Sequence, residues 1–176
     1  MTNPRNELPM ADLEALQVWA ATVMASRPPD FIIGPEDDPY MRRWFIIPRN
    51  PFQNIYLHEV LRSDDDRAGH DHPWNNQTLV IDGGYFEQTY YSARPWVADY
   101  QYERKPGDII TRAAEDTHRL IVPFGGRAVT LFTTGPRIRE WGFWCPGDDT
   151  REPRWVVWTD FTATDNKGLI GKGCGE

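Results

Sequence analysis

Short runs of apolar and aromatic residues, separated by turn-forming residues, make up most of this chain. They read DFIIG, RRWFIIP, NIYLHEVLR, QTLVID, YFEQTYY, DYQYER, DIITR, HRLIVPF, AVTLFTT, EWGFW and WVVWTDF. Between them lie turn signals such as Pro48-Arg49-Asn50-Pro51, Gly83-Gly84, Pro106-Gly107-Asp108 and Gly125-Gly126. Many short runs at near-regular spacing predict an antiparallel β-sandwich or barrel. One stretch departs from this pattern. Leu13, Leu16, Ala20, Val23 and Met24 recur at helical spacing, Pro9 can open the helix, and Arg27-Pro28-Pro29 ends it. The pattern therefore predicts an all-β jelly roll with a short N-terminal helix packed at one end. One domain is expected over residues 1–176, with 1–8 flexible, a helix over 10–26, a barrel over about 31–161 and an irregular Gly-rich tail over 165–176.

Composition narrows the picture. At 176 residues and 40% apolar, with eight Trp, eight Phe and seven Tyr, the chain can bury a full core. The formal charge of −7 and the lack of a basic stripe argue against nucleic-acid binding. The apolar runs are too short to span a bilayer as helices, so no membrane partner is expected. The first residues, MTNPRNELPMADLE, carry no apolar signal core, which predicts a cytoplasmic protein. Cys145 and Cys174 are the only cysteines and have no CxxC spacing, so both are expected as free thiols.

The chemistry concentrates around HDHPWNNQTLVIDGG, His70 to Gly84. Histidines at i and i+2 share a face only on a strand, and imidazole is the commonest metal ligand. His118 opens the run HRLIVPF, and three histidines from two strands can cap a metal ion while leaving positions open. In NIYLHEVLR, alternation puts Tyr56, His58, Val60 and Arg62 on one face and Ile55, Leu57, Glu59 and Leu61 on the other. The second face is the more apolar. His58 therefore lies outside if that face meets the core, or faces the metal pocket if the lumen is polar. Asp64-Asp65-Asp66 reads as a solvated turn, with Arg62 and Arg67 as its neighbouring counter-charges.

These residues resemble the two motifs of the cupin superfamily. The first is G, five residues, HxH, three or four residues, E, six residues, G. Here His70-Asp71-His72 is the pair, Gln77 takes the Glu position after four residues, and Gly84 follows after six more. Asp64 replaces the leading Gly. Lys105-Pro106-Gly107-Asp108-Ile109-Ile110 and His118 match the second motif, without its P-x-G before the histidine or its trailing Asn. LHEVLRSDDDRAGHDHPW and REWGFWCPG resemble a group of small single-domain phage and bacterial cupins of unassigned activity.

The resemblance implies a mononuclear metal held by His70, His72 and His118, with Gln77 as a fourth ligand or as a group bonded to a ligand or water. The metal would be Fe(II), with Mn, Ni or Zn as alternatives. Three imidazoles and an amide leave the ion its full charge, which favours a small chelating or anionic substrate. An iron-dependent dioxygenase is the expected activity, with His58 as an acid or base and Arg67, Trp74 and Tyr56 contacting substrate. Alternatives are a sugar or small-acid isomerase or epimerase, and a non-catalytic ligand-binding module. A homodimer is expected from the open sheet edges.

Overall fold

The computed structural model describes residues 9–64, 68–163 and 171–175. The expected flexible segment 1–8, Arg67 and most of the expected tail lie outside the described residues. A 17-residue helix, α1 (Met10–Ser26), comes first, with Pro9 at its N-cap. Among the described residues twelve strands follow: β1 (Phe31–Ile33), β2 (Met41–Phe45), β3 (Asn54–Val60), β4 (Gly69–His70), β5 (Asn76–Gly83) and β6 (Tyr85–Tyr91). Then come β7 (Arg94–Arg104), β8 (Ile109–Arg112), β9 (His118–Ile121), β10 (Ala128–Thr134), β11 (Gly142–Cys145) and β12 (Arg154–Val157). A one-turn helix, α2 (Trp158–Phe161), occupies the end of the WVVWTDF run.

The strands form two six-stranded antiparallel sheets, in the orders β1-β2-β3-β10-β5-β8 and β12-β11-β4-β9-β6-β7. The chain crosses from the first sheet to the second at Gly83-Gly84, where Gly83 has a positive φ of 69° and a Cβ would strike the Arg127 carbonyl. It returns through the Pro106-Gly107-Asp108 turn. Gly107 (φ 95°) donates its N–H to Val80 O, and the Asp108 carboxylate accepts from Lys105 N. These two turns explain the glycines and the PGD step of the motifs.

The inner faces meet in an apolar cluster of Met41, Val60, Val80, Tyr85, Ile110, Val122 and Ala128, drawn from both sheets. The outer face of the first sheet is apolar as well: Trp44, Leu57, Ile81 and Val129 pack with Ala20, Leu16, Trp19 and Val23 of α1. The helix therefore lies across a sheet face, not at one end of the barrel as the pattern suggested. The reason is the second apolar face of β3 and β5, which needs a cover. Gln17 adds a hydrogen bond from its amide to Ile81 O at 2.9 Å.

The free-thiol expectation is overturned. Cys145 and Cys174 form a disulfide across a separation of 29 residues, in a cluster with Ala68 and Phe161. The bond ties residues 171–175 to β11. Both cysteines sit in one small apolar cluster that only the folded chain assembles, so their pairing was not visible in their spacing.

Candidate metal centre

His70 ends β4 and pairs in register with His118, the first residue of β9. The chain stays extended beyond β4: Asp71 N donates to Gly142 O and His72 N to Ala114 O. His70 and His72 thus project to the same side. Their ring centroids are 5.2 Å apart, and His118 lies 4.6 Å from His70 and 5.0 Å from His72. One ligand nitrogen from each falls within 4.8 Å of the others.

Asp71 locks the middle of the motif. It points away from its flanking histidines, is 1% exposed, and accepts from Gly142 N (2.7 Å), Trp155 Nε1 (2.9 Å) and Arg139 (2.8 Å). A buried carboxylate with three donors fixes the backbone between the two imidazoles.

Carboxylates stand behind two of the three rings. Glu87, on β6 and 1% exposed, meets His118 Nδ1 at 2.8 Å and is itself bound by Arg104 and Arg112. Burial pushes its carboxyl up, but Arg112 and then His118 outweigh this and hold it well below the usual carboxylate range. An ionised carboxylate only accepts, so His118 Nδ1 carries the proton and Nε2 keeps its lone pair. Asp64 meets His70 Nδ1 at 3.4 Å while accepting from Leu120 N at 2.9 Å and from the Tyr40 hydroxyl. Burial raises the Asp64 carboxyl, yet its contacts with His70, Tyr40 and Leu120 hold it below the ordinary value. Asp64 is thus a half-buried partner of His70 and not part of a solvated turn. Asp65 and Asp66 lie outside the described residues.

His118 is pushed down to about 4, first by burial and then by Arg112, and burial with the neighbouring His118 and His70 holds His72 well below 6.5. Both are neutral at pH 7, the form that ligates metal. His72 Nδ1 and His118 Nε2 are buried with no hydrogen-bond partner. Buried nitrogens are rarely left unpartnered, and a cation among the rings would satisfy them. The donor set, the second-layer carboxylates and these nitrogens fit a divalent ion.

The remaining sequence candidates fall elsewhere. Gln77 is not with the histidines. It shares the outward phase of β5 with Leu79 and Ile81, is exposed, and its amide donates to Thr111 Oγ1 at 3.2 Å. The inward position is Asn76, which fits the same motif counted with three residues and is 4% exposed, with its Nδ2 buried and unpartnered. Motif spacing tolerates either count; strand phase does not.

His58 faces the lumen. Its Nε2 accepts from Arg43 Nε at 2.8 Å, and its ring stacks 5.2 Å from Phe132. Burial and Arg43 hold it well below 6.5. Tyr56 is 2% exposed and lies beneath the Arg43 guanidinium, 4.8 Å from centroid to Cζ, with its ring stacked on His58. Trp74 is half-buried and makes none of the ring contacts of the triad; Phe132 (6.0 Å from His72) and Phe143 (6.0 Å from His70) do. A cavity of about 340 Å³ opens on the Glu87 and Arg112 side of His118; His70 and His72 do not line it, so it backs onto the triad.

No family model matches this chain, and no curated protein does. Solved structures do. A candidate mannose-6-phosphate isomerase from Ralstonia eutropha shares 16% identity over 61% of this chain and 92% of its own, with a TM-score of 0.47. A cupin-like protein from Thermotoga maritima shares 12% over 76% and 88%, with a TM-score of 0.46. Hydroxypropylphosphonic acid epoxidase from S. wedmorenis shares 16% over 61% and 57%, with a TM-score of 0.45. The likeness is one of shape, spans part of this chain and assigns no activity. Two antiparallel sheets packed on each other, with an HxH pair facing a third histidine across the ladder, define the class: an all-β jelly roll with three converging histidines. Among the described residues no helix is long and apolar enough to cross a membrane.

Proposed function

We propose that this protein is a mononuclear metal-dependent enzyme acting on a small anionic, chelating substrate, and that iron(II) serves it as a dioxygenase centre. The observation that carries this reading is the convergence of three imidazoles, two of them with buried, unpartnered nitrogens. His70, His72 and His118 would hold the ion. When bound, it would supply Lewis acidity and, as iron(II), the redox chemistry of oxygen activation.

The chain's own residues do the rest. Glu87 holds the proton on His118 Nδ1 and keeps Nε2 aimed inward, and Asp64 stands 3.4 Å from His70 Nδ1. Asp71 fixes the spacing of the pair. Neither Glu87 nor Asp64 ligates, and Glu87 is already neutralised by two arginines, so the ion's charge remains for the substrate to meet. Phe132 and Phe143 exclude water beside the rings. Manganese, nickel and zinc suit the same donors.

An isomerase or epimerase would need a free general base. Of the two candidates for that role, His58 has its Nε2 engaged by Arg43 and His118 has its Nδ1 engaged by Glu87, which weighs against that reading. For the homodimer, the support is the long edge strand β7, on which Tyr100 and Tyr102 are exposed.

The test is metal analysis followed by oxygen uptake. Protein grown with iron should carry about one iron per chain and consume oxygen with a chelating carboxylate substrate. Full activity without metal, or under anaerobic conditions with chelator, would give the site to another chemistry.

A further inference from the structure

Arg43 is a lumen cation that the metal reading does not use. It sits at an inward position of β2, opposite His58 in register. Its Nε donates to His58 Nε2 at 2.8 Å, its guanidinium lies over the Tyr56 ring, and its remaining recorded contact is the weak acceptor Met41 Sδ at 4.0 Å. Among the described residues no carboxylate pairs with it, whereas Arg42, Arg104, Arg112 and Arg139 each meet one. Burial holds its guanidinium below the ordinary value, the mark of a cation short of compensation. A buried charge without a counter-ion is costly and calls for a partner.

The surroundings leave that partner a place. His58 and Tyr56 hold the Nε edge and one face of the guanidinium. Nη2 meets Met41 Sδ, while Nη1 has no recorded partner and is not among the sealed, unpartnered atoms of the interior, so it keeps access to open space. Arg43 and the triad belong to the same part of the lumen: the His58 ring stacks on Phe132, and Phe132 packs 6.0 Å from His72. A planar guanidinium presenting its Nη groups suits bidentate carboxylate recognition.

We infer that Arg43 is an anion-binding residue that takes the carboxylate of a small substrate whose other end reaches the three-histidine centre. His58 is then a positioning residue: its neutral ring accepts from Nε and aims the fork. The inference deepens the proposed function and rests on it for the second half only, since the anion site exists without the metal.

The experiment has two arms. In the first, metal-free protein is melted with malonate against chloride at equal ionic strength. Wild type should be stabilised by malonate, R43K partly so, and R43M and R43Q not at all. No malonate response in wild type, or an equal response in R43M and R43Q, overturns the inference. In the second, cobalt(II)-loaded protein is titrated with acetohydroxamate and with the monohydroxamates of malonate, succinate and glutarate, followed by the cobalt absorption band. At one tail length or more, wild type should bind the carboxylate-tailed probe about 10- to 100-fold tighter than acetohydroxamate. R43M should lose that preference while its acetohydroxamate affinity stays unchanged. A preference surviving in R43M overturns the inference. If cobalt does not bind, the metal reading fails, and the malonate arm still decides Arg43.

Discussion

Glu87 meets His118 through Nδ1 at 2.8 Å from a side chain that is 1% exposed, and the same carboxylate is held by Arg112 and Arg104. One residue thus sets a ligand's tautomer and neutralises the buried Arg112 and the half-buried Arg104. Replacing it separates the two roles. Glu87→Gln should lower metal affinity about 10- to 100-fold, because the amide holds the His118 proton more weakly. It should also cost about 3–5 kcal/mol of stability by stranding the arginines. Competition titration with a chromophoric chelator and chemical denaturation measure the two. Unchanged metal affinity would remove Glu87 from the site.

His58 makes stability depend on pH. Its folded value lies well below 6.5, so below pH 6.5 the unfolded chain takes up a proton that the folded chain refuses. Stability is then lost as pH falls, by up to about 1.4 kcal/mol per pH unit for this residue. His58→Gln keeps an acceptor for Arg43 but cannot titrate, so its stability profile below pH 6.5 should be flatter by that amount. Urea melts of the metal-free protein across pH 5 to 7 provide the comparison, and equal slopes would place the sensitivity elsewhere.

Gln77→Ala should leave metal content and affinity unchanged. The side chain is exposed on the helix-covered side of the first sheet and bonds Thr111. A loss of metal in this variant would return Gln77 to the ligand set.

The Cys145–Cys174 disulfide closes a loop of 29 residues. Loop-closure entropy for that length predicts a loss of about 3–4 kcal/mol on reduction or in Cys174→Ser. Melting with and without reductant checks this, alongside thiol counting on the unreduced protein. Such a bond persists where thiols are kept oxidised, which is a condition on the compartment. Two free thiols under non-reducing conditions would contradict it.

Much of the fold was legible because its signals are local. Each quoted run contains a strand, and Leu13, Leu16 and Ala20 mark α1 without reference to anything distant. The histidine triad was legible because an i, i+2 pair fixes its own geometry and His118 opens a strand. What could not be read depends on the sheet's second face. Leu57 and Ile81 are apolar because α1 covers them, so the more apolar side of β3 is not the lumen side, and His58 could not be placed from alternation alone. Gln77 was misplaced for a related reason: the loop after His72 sets the phase of β5. Glu87 lies outside both motifs, and Asp64 stands where the first motif has a Gly, so neither was marked as a ligand's partner. The one sequence hint for Glu87 is its shared phase with Tyr85 on YFEQTYY. Asp64 owes its role to Tyr40 and Leu120, distant in sequence.

The central claim is that His70, His72 and His118 form one metal centre. Elemental analysis of protein loaded with iron(II) under anaerobic conditions and then desalted tests it most directly. Wild type should retain about one iron per chain, and His70→Ala, His72→Ala and His118→Ala should each lose most of it while staying folded. Wild type without stoichiometric metal, or alanine variants that keep it, would contradict the account.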